Sequence, residues 1–395
     1  MFLGAMRSRY HLENCADSSQ FRENVLTLSG TAEDELAHPD TVDYLLRHMD
    51  PEELIGFQAG CMRRLIRSKV LDRFRFGNEF LVAVDGTGYR TFPYQHCPRC
   101  LHRKRPDGTS VWFHHVLEAK LITSAGMVFS MASVMIENPE GDYHKQDCEL
   151  KAFYRLVPKL RTLYPRLPMC LLLDSLYAGE PTLELCEKHR LGFFIVFTEG
   201  AIPTLWERAH QWIEKHPGAT VRSRNENRSQ QLRWATGLKY RSRCVHFISC
   251  RETHTRNGKV THWAWLTDAR PNERNINALV NKGARSRWKI ENEGFNVQKN
   301  GELALVHGYG GRGNALFGYY ALAQIAHMIL QLIAHSDLLQ KLQKGTHTIT
   351  GSVLSYYRTM RNLTDRLRAS MRRHRLDENR PGGFARQIQI RFDTS

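Results

Sequence analysis

Two short apolar runs, each closed by an aspartate, constrain this chain more than any other feature. FLVAVDGTG carries Asp85 and MCLLLDS carries Asp174. A continuous apolar run of this length, ended by turn residues, has no polar face and reads as a central strand buried on both sides. Each acid therefore stands at the end of a buried strand.

The surrounding pattern supplies the rest of the architecture. Residues 1–75 read as helical, with a helix starting at Pro51 after Asp50; its basic end, Arg63, Arg64, Arg67 and Lys69, is either a DNA-contacting face or a solvated one. SVWFHHVLEAKL and GMVFSMASVMI predict a hairpin beside the first strand, giving three antiparallel strands. A helix from about Lys145 to Leu163, the strand MCLLLD, a helix over 181–189 and the strand GFFIVF follow. Strands first in a run and then alternating with helices imply an α/β fold with a mixed sheet flanked by helices.

Residues 200–268 read as a β-rich insertion, and the chain is helical from Asn272 to about Asn300. The apolar stretch from Leu316 contains two Gln and two His and reads as a buried core helix, not a membrane span. The expected division is a helical N-terminal region (1–75), a first core segment (76–199), the insertion (200–268), a second core segment (269–345) and a basic C-terminal tail (346–395). That tail holds Arg358, Arg361, Arg366, Arg368, Arg372, Arg373 and Arg375, suited to electrostatic DNA binding or to a solvated helix face.

Lys plus Arg number 56 against 40 Asp plus Glu, a formal charge of +16, which favours a polyanionic partner, with nucleic acid leading. Nine cysteines without an even disulfide spacing point to a reducing cytoplasm. Cys97 and Cys100 form a Cys-x2-Cys pair followed by His114 and His115, ligand types that Zn²⁺ takes tetrahedrally. Strand neighbours face opposite ways, so one of the two histidines fits, and Cys97, Cys100 and His114 form the candidate structural zinc set.

A third acid lies in RSRWKIENEGFNVQKN, where Glu291 follows Arg287 by one helical turn; on a regular helix Arg287, Glu291, Phe295 and Gln298 or Lys299 share a stripe. Glu293 is rotated by about 200° from Glu291 and leaves that stripe. Three strands, a helix, a strand ending in an acid and a late helix carrying another acid is the layout of a ribonuclease-H-like fold. Its first and fourth strands are neighbours, which would bring Asp85 and Asp174 together with Glu291 alongside. Three carboxylates suit two hard divalent ions about 3.5–4 Å apart.

These residues resemble the DDE transposases of bacterial insertion sequences, in the clade marked by a Tyr-x2-Arg-x3-Glu-x6-Lys signature. Arg287-Trp-Lys-Ile-Glu291 matches the Arg-x3-Glu core, VAVDGTG resembles the first-Asp strand and LLLDSLYAGEP the second, from about Phe80 to His335. The resemblance implies Asp85, Asp174 and Glu291 as catalytic ligands of two Mg²⁺ (or Mn²⁺) ions. It also implies double-stranded DNA partners, at the terminal inverted repeats and at the target, and a homodimer in the synaptic complex. The signature's Tyr falls on Ala284 and its Lys on Gln298, with Lys299 next.

Arg287 is expected either to orient Glu291 or to bind the phosphate beside the scissile bond, with Lys299 reaching a phosphate. In the insertion, Trp234, Trp263 and Trp265 sit among Arg233, Arg241 and Arg243; Trp234 with Arg233 is the candidate for stacking on an unpaired base. Asp147 and Glu149 fall at a helix start, where acids favour the macrodipole. The alternatives are a ribonuclease-H-like nuclease that does not join ends and a catalytically decayed DNA-binding relative.

Overall fold

A computed structural model of the chain describes residues 9–30, 35–139, 144–224, 226–301, 303, 305, 311, 313–336 and 352–376. In it the two apolar runs are neighbouring parallel strands, β1 (Phe80–Phe92) and β5 (Met169–Leu173), and every residue of β5 is buried. Their register runs from Phe80 opposite Met169 to Ala83 opposite Leu172. Continuous apolar side chains on both faces are what such a strand pair requires.

The remaining strands are β2 (Leu101–Lys104), β3 (Ser110–Ile122), β4 (Val128–Ile136), β6 (Gly192–Val196), β7 (Thr220–Arg224), β8 (Arg228–Tyr240), β9 (Arg243–His254) and β10 (Val260–Thr267). Together they form a ten-stranded mixed sheet in the order β2-β3-β1-β5-β6-β10-β9-β8-β7, with β4 also paired to β3. The expected hairpin is β3 with β4, antiparallel, irregular between Ala119 and Lys120. β6 runs parallel to β5, as the strand–helix–strand pattern predicts.

The segment read as an insertion begins with a helix, Pro203–Lys215, and then supplies β7 to β10. β10 pairs antiparallel with β6, so these strands extend the main sheet. The helix over Glu149–Leu163 lies against β4: Arg155 donates to the Met135 carbonyl at 3.1 Å and Lys159 to that of Ser133 at 3.1 Å.

The chain forms two compact units, one of Met1–Arg73, Tyr89–Phe113 and Glu293–Ser395, the other of Phe74–Gly88 and His114–Asn292. Among the described residues the first unit is mainly helical. Its helix over Pro51–Arg67 starts as expected, with Asp50 accepting from the Glu52 N–H at 3.0 Å and Pro51 in the first turn. The helix over Ala315–Ala334 is the one helix among the described residues long and apolar enough to cross a membrane, yet 78% of its apolar window is buried within the fold.

The basic C-terminal segment differs from the expected tail. Residues 353–357 and 360–373 are helices, and Val353 and Leu363 are buried with Ala334 in one apolar cluster. Asn24, 1% exposed, donates to the carbonyls of Met371 at 2.8 Å and His374 at 2.7 Å and accepts from the Leu376 N–H at 2.9 Å. The charge pattern of the segment concealed an apolar stripe able to dock. The rest of the expected tail, 346–351 and 377–395, lies outside the described residues.

Asn24→Ala removes all three of these bonds from part-buried backbone groups. It is expected to destabilise the docked helix by about 1–3 kcal/mol, seen as faster amide exchange over 360–374 with unchanged exchange in Glu149–Leu163.

Candidate active site

Carrying the β1–β5 register two residues past Ala83 and Leu172 sets Asp85 level with Asp174. Asp85 Oδ1 accepts from the Gly86 N–H at 3.1 Å, and Asp174 Oδ1 from the Leu176 N–H at 2.7 Å. Asp174 is thus oriented by the turn that ends β5, whereas β1 continues through Gly86 to Phe92, so Asp85 lies within its strand and not at the expected strand end. Burial pushes the Asp85 carboxyl above its ordinary range; Arg287 opposes the rise, while Asp174 and, more weakly, Glu291 add to it. Asp174 and Glu291 therefore both lie within electrostatic reach of Asp85.

The segment carrying Arg287 and Glu291 is not the regular helix expected. It passes from a π-helical stretch, Leu279–Gly283, to a 3₁₀ stretch, Ala284–Trp288, to a second π-helical stretch, Ile290–Phe295. Gly283, at φ −93° and ψ −94°, marks the first change. The four-residue spacing consequently does not produce an Arg287–Glu291 ion pair among the described contacts. Arg287 reaches across to Asp85, Nη1 to Oδ2 at 3.2 Å, with its side chain 12% exposed. Wide turns inside helices recur at functional sites.

One acid of this group was not anticipated. Glu149, read as a helix-start charge, accepts a 2.7 Å hydrogen bond from the buried Tyr177 hydroxyl. Burial raises its pKa; the Tyr177 bond opposes this, and the charges of Asp85 and Asp174 raise it further. The fit is close enough that a Cβ on Gly86 would stand 2.5 Å from Glu149 Oε2. The Asp-Gly pair, within β1 and not at a turn, is therefore more than a turn signal, since a side chain at 86 would displace the Glu149 carboxylate from its present position. The sequence cue was slight: an acid at the start of the helix that follows the hairpin.

The other predicted contacts are distributed differently. Trp234 is 7% exposed and pairs opposite Ile248, so packing accounts for it and no ring face is presented for stacking on a base. Its neighbour Arg233 is half-buried, opposite Ser249. Gln298, at the position of the signature's Lys, is fully buried and donates to Gln324 at 2.7 Å. Lys299 is half-buried with Nζ 5.9 Å from the centre of the Phe295 ring.

The Cys-x2-Cys pair does gather donors. Cys97 Sγ and Cys100 Sγ are 3.5 Å apart, and the His96 ring stacks on Phe92 at 4.1 Å. His114 follows Phe113, which pairs with Leu101. One donor atom from each of His96, Cys97, Cys100 and His114 lies within 4.8 Å of the others, a set able to hold a metal ion. His96 is the member missed, although it directly precedes Cys97. Burial, and then Cys100, push the Cys97 thiol up to about 11.

Compared with protein-family models and with curated proteins, the chain matches none.

A carboxyl whose pKa is raised by folding stabilises the fold below its unfolded pKa, and that contribution is lost as pH rises through the folded value. Glu149→Gln keeps an acceptor for Tyr177 and removes one charge. It is expected to stabilise the protein by about 0.5–2 kcal/mol at neutral pH, measured by urea denaturation, with the gain vanishing in acid.

Proposed function

We propose that this chain is a metal-dependent DNA transposase of the DDE type. It would cleave double-stranded DNA at the terminal inverted repeats of a mobile element and join the freed 3′-hydroxyl to target DNA, acting as a dimer on two ends. The observation that carries this reading is that Asp174, directly after β5, and Glu291 are both close enough to shift the ionisation of Asp85 on the adjacent parallel strand β1. The sheet order β4-β3-β1-β5-β6 also accords with a ribonuclease-H-like arrangement. The +16 charge favours a polyanionic substrate.

The donor set fits Mg²⁺ or Mn²⁺. Several carboxylates half-buried together raise one another's proton affinity, and hard divalent cations prefer such oxygens. Asp85, Asp174 and Glu291 would hold two ions. When bound, these ions would activate the attacking water or 3′-hydroxyl and stabilise the leaving oxygen. The protein's own part is positioning and charge. Arg287 neutralises Asp85 and presents a planar guanidinium, a geometry that also matches a phosphate. Glu149, with Tyr177 beside it, holds a proton more readily than an ordinary carboxylate.

The test is Mn²⁺-dependent cleavage and joining of DNA bearing the gene's own flanks, run beside Glu291→Gln. Cleavage at a repeat boundary followed by joining is expected, with a loss of about 10²-fold or more in the variant. Equal activity in both would remove Glu291 from the site. Cutting without joining would indicate a nuclease, and binding without cutting a decayed relative.

For the His96, Cys97, Cys100 and His114 cluster we propose Zn²⁺ in a structural role, because two thiolates and two imidazoles are its closed tetrahedral set. Elemental analysis of the purified protein is expected to find one zinc per chain, lost in Cys100→Ser. Full occupancy in that variant would exclude the cluster.

A further inference from the structure

Glu252 lies on β9 with its side chain 1% exposed, and a buried carboxylate requires compensation. Its partners are Arg285 Nη1 and Nη2, Arg228 Nη1 at 3.4 Å and Gln230 Nε2 at 2.7 Å, with His254 Nε2 at 3.8 Å. Burial alone would raise its pKa; the bonds from Arg285 and Gln230 outweigh burial and hold it low. Gln230 in turn exchanges two 3.0 Å bonds with Asn281, and the Arg285 guanidinium covers the Trp263 ring at 4.4 Å.

Asn281 and Arg285 belong to the segment that leads into Arg287 and Glu291. A segment that changes from π to 3₁₀ to π winding has no continuous hydrogen-bond ladder to set its rotation. Its orientation must then come from outside. Arg285 stands two residues before Arg287, so a turn of one redirects the other.

We infer that Glu252 is a positioning residue: through Arg285 and the Gln230–Asn281 pair it anchors the segment that presents Arg287 to Asp85 and places Glu291. Its importance for the reaction rests on the proposed role of the Asp85, Asp174 and Glu291 site.

The test uses the full chain and two readouts. Glu252→Gln preserves shape and removes the charge. Hydrogen exchange is expected to quicken about tenfold over 284–295, with β1 and β5 unchanged. In the DNA assay, kcat is expected to fall about tenfold or more with little change in KM. Adding Arg285→Gln should cost less than the two single changes summed, because the residues share one contact while Arg285 also covers the Trp263 ring. Unaltered exchange over 284–295, or quickening throughout the sheet, would overturn the anchor. Quickened exchange with unchanged kcat would overturn its role in the reaction. A wild-type protein without metal-dependent cleavage would refute the transposase reading alone, because exchange still reads the anchor. If Glu252→Gln does not fold, Arg285→Gln, whose side chain is 23% exposed, carries the same two readouts.

Discussion

The parallel pairing of β1 with β5 is the constraint on which the site depends. Two strands with apolar side chains on both faces can only lie in the interior of a covered sheet, and their register carries Asp85, within β1, toward Asp174, just past β5. Like charges so placed repel, and burial increases the cost of ionising them. Arg287 is the cation that answers this at Asp85, and it does so from a segment of irregular winding.

The parts of this arrangement legible in the sequence were those with a local signature. Unbroken apolar runs ending in Asp85 and Asp174 mark the central strands because they are too short for a buried helix and are flanked by turn residues. The long helix near the C-terminal end was likewise read from composition, its internal Gln and His marking it as a core element. Glu291 is legible through its neighbours in the sequence, whereas the winding around it is not. Helical periodicity does not distinguish π and 3₁₀ turns from regular ones, because that choice is made by distant partners such as Glu252 and Asp85.

Glu149 and His96 show the same limit from another side. Each belongs to its cluster through tertiary contact: Glu149 through Tyr177 and the space above Gly86, His96 through its stacking on Phe92. Neither contact leaves a spacing rule. The basic C-terminal segment was obscured by its arginines, whose number conceals the few apolar positions that dock it. Trp234 erred in the opposite direction, since an aromatic among arginines resembles a binding surface until its burial is known.

The closeness of residue 86 to Glu149 has a consequence for how this protein can vary. Any side chain at 86 claims the volume that the Glu149 carboxylate fills, so the two positions are not independent sites of substitution. A lineage that acquires alanine at 86 must shorten or redirect residue 149, and one that has already replaced Glu149 with a smaller residue is released from glycine at 86. Residue 86 thus bears on the direction of the Glu149 carboxylate, tying a strand glycine to an acid far along the chain.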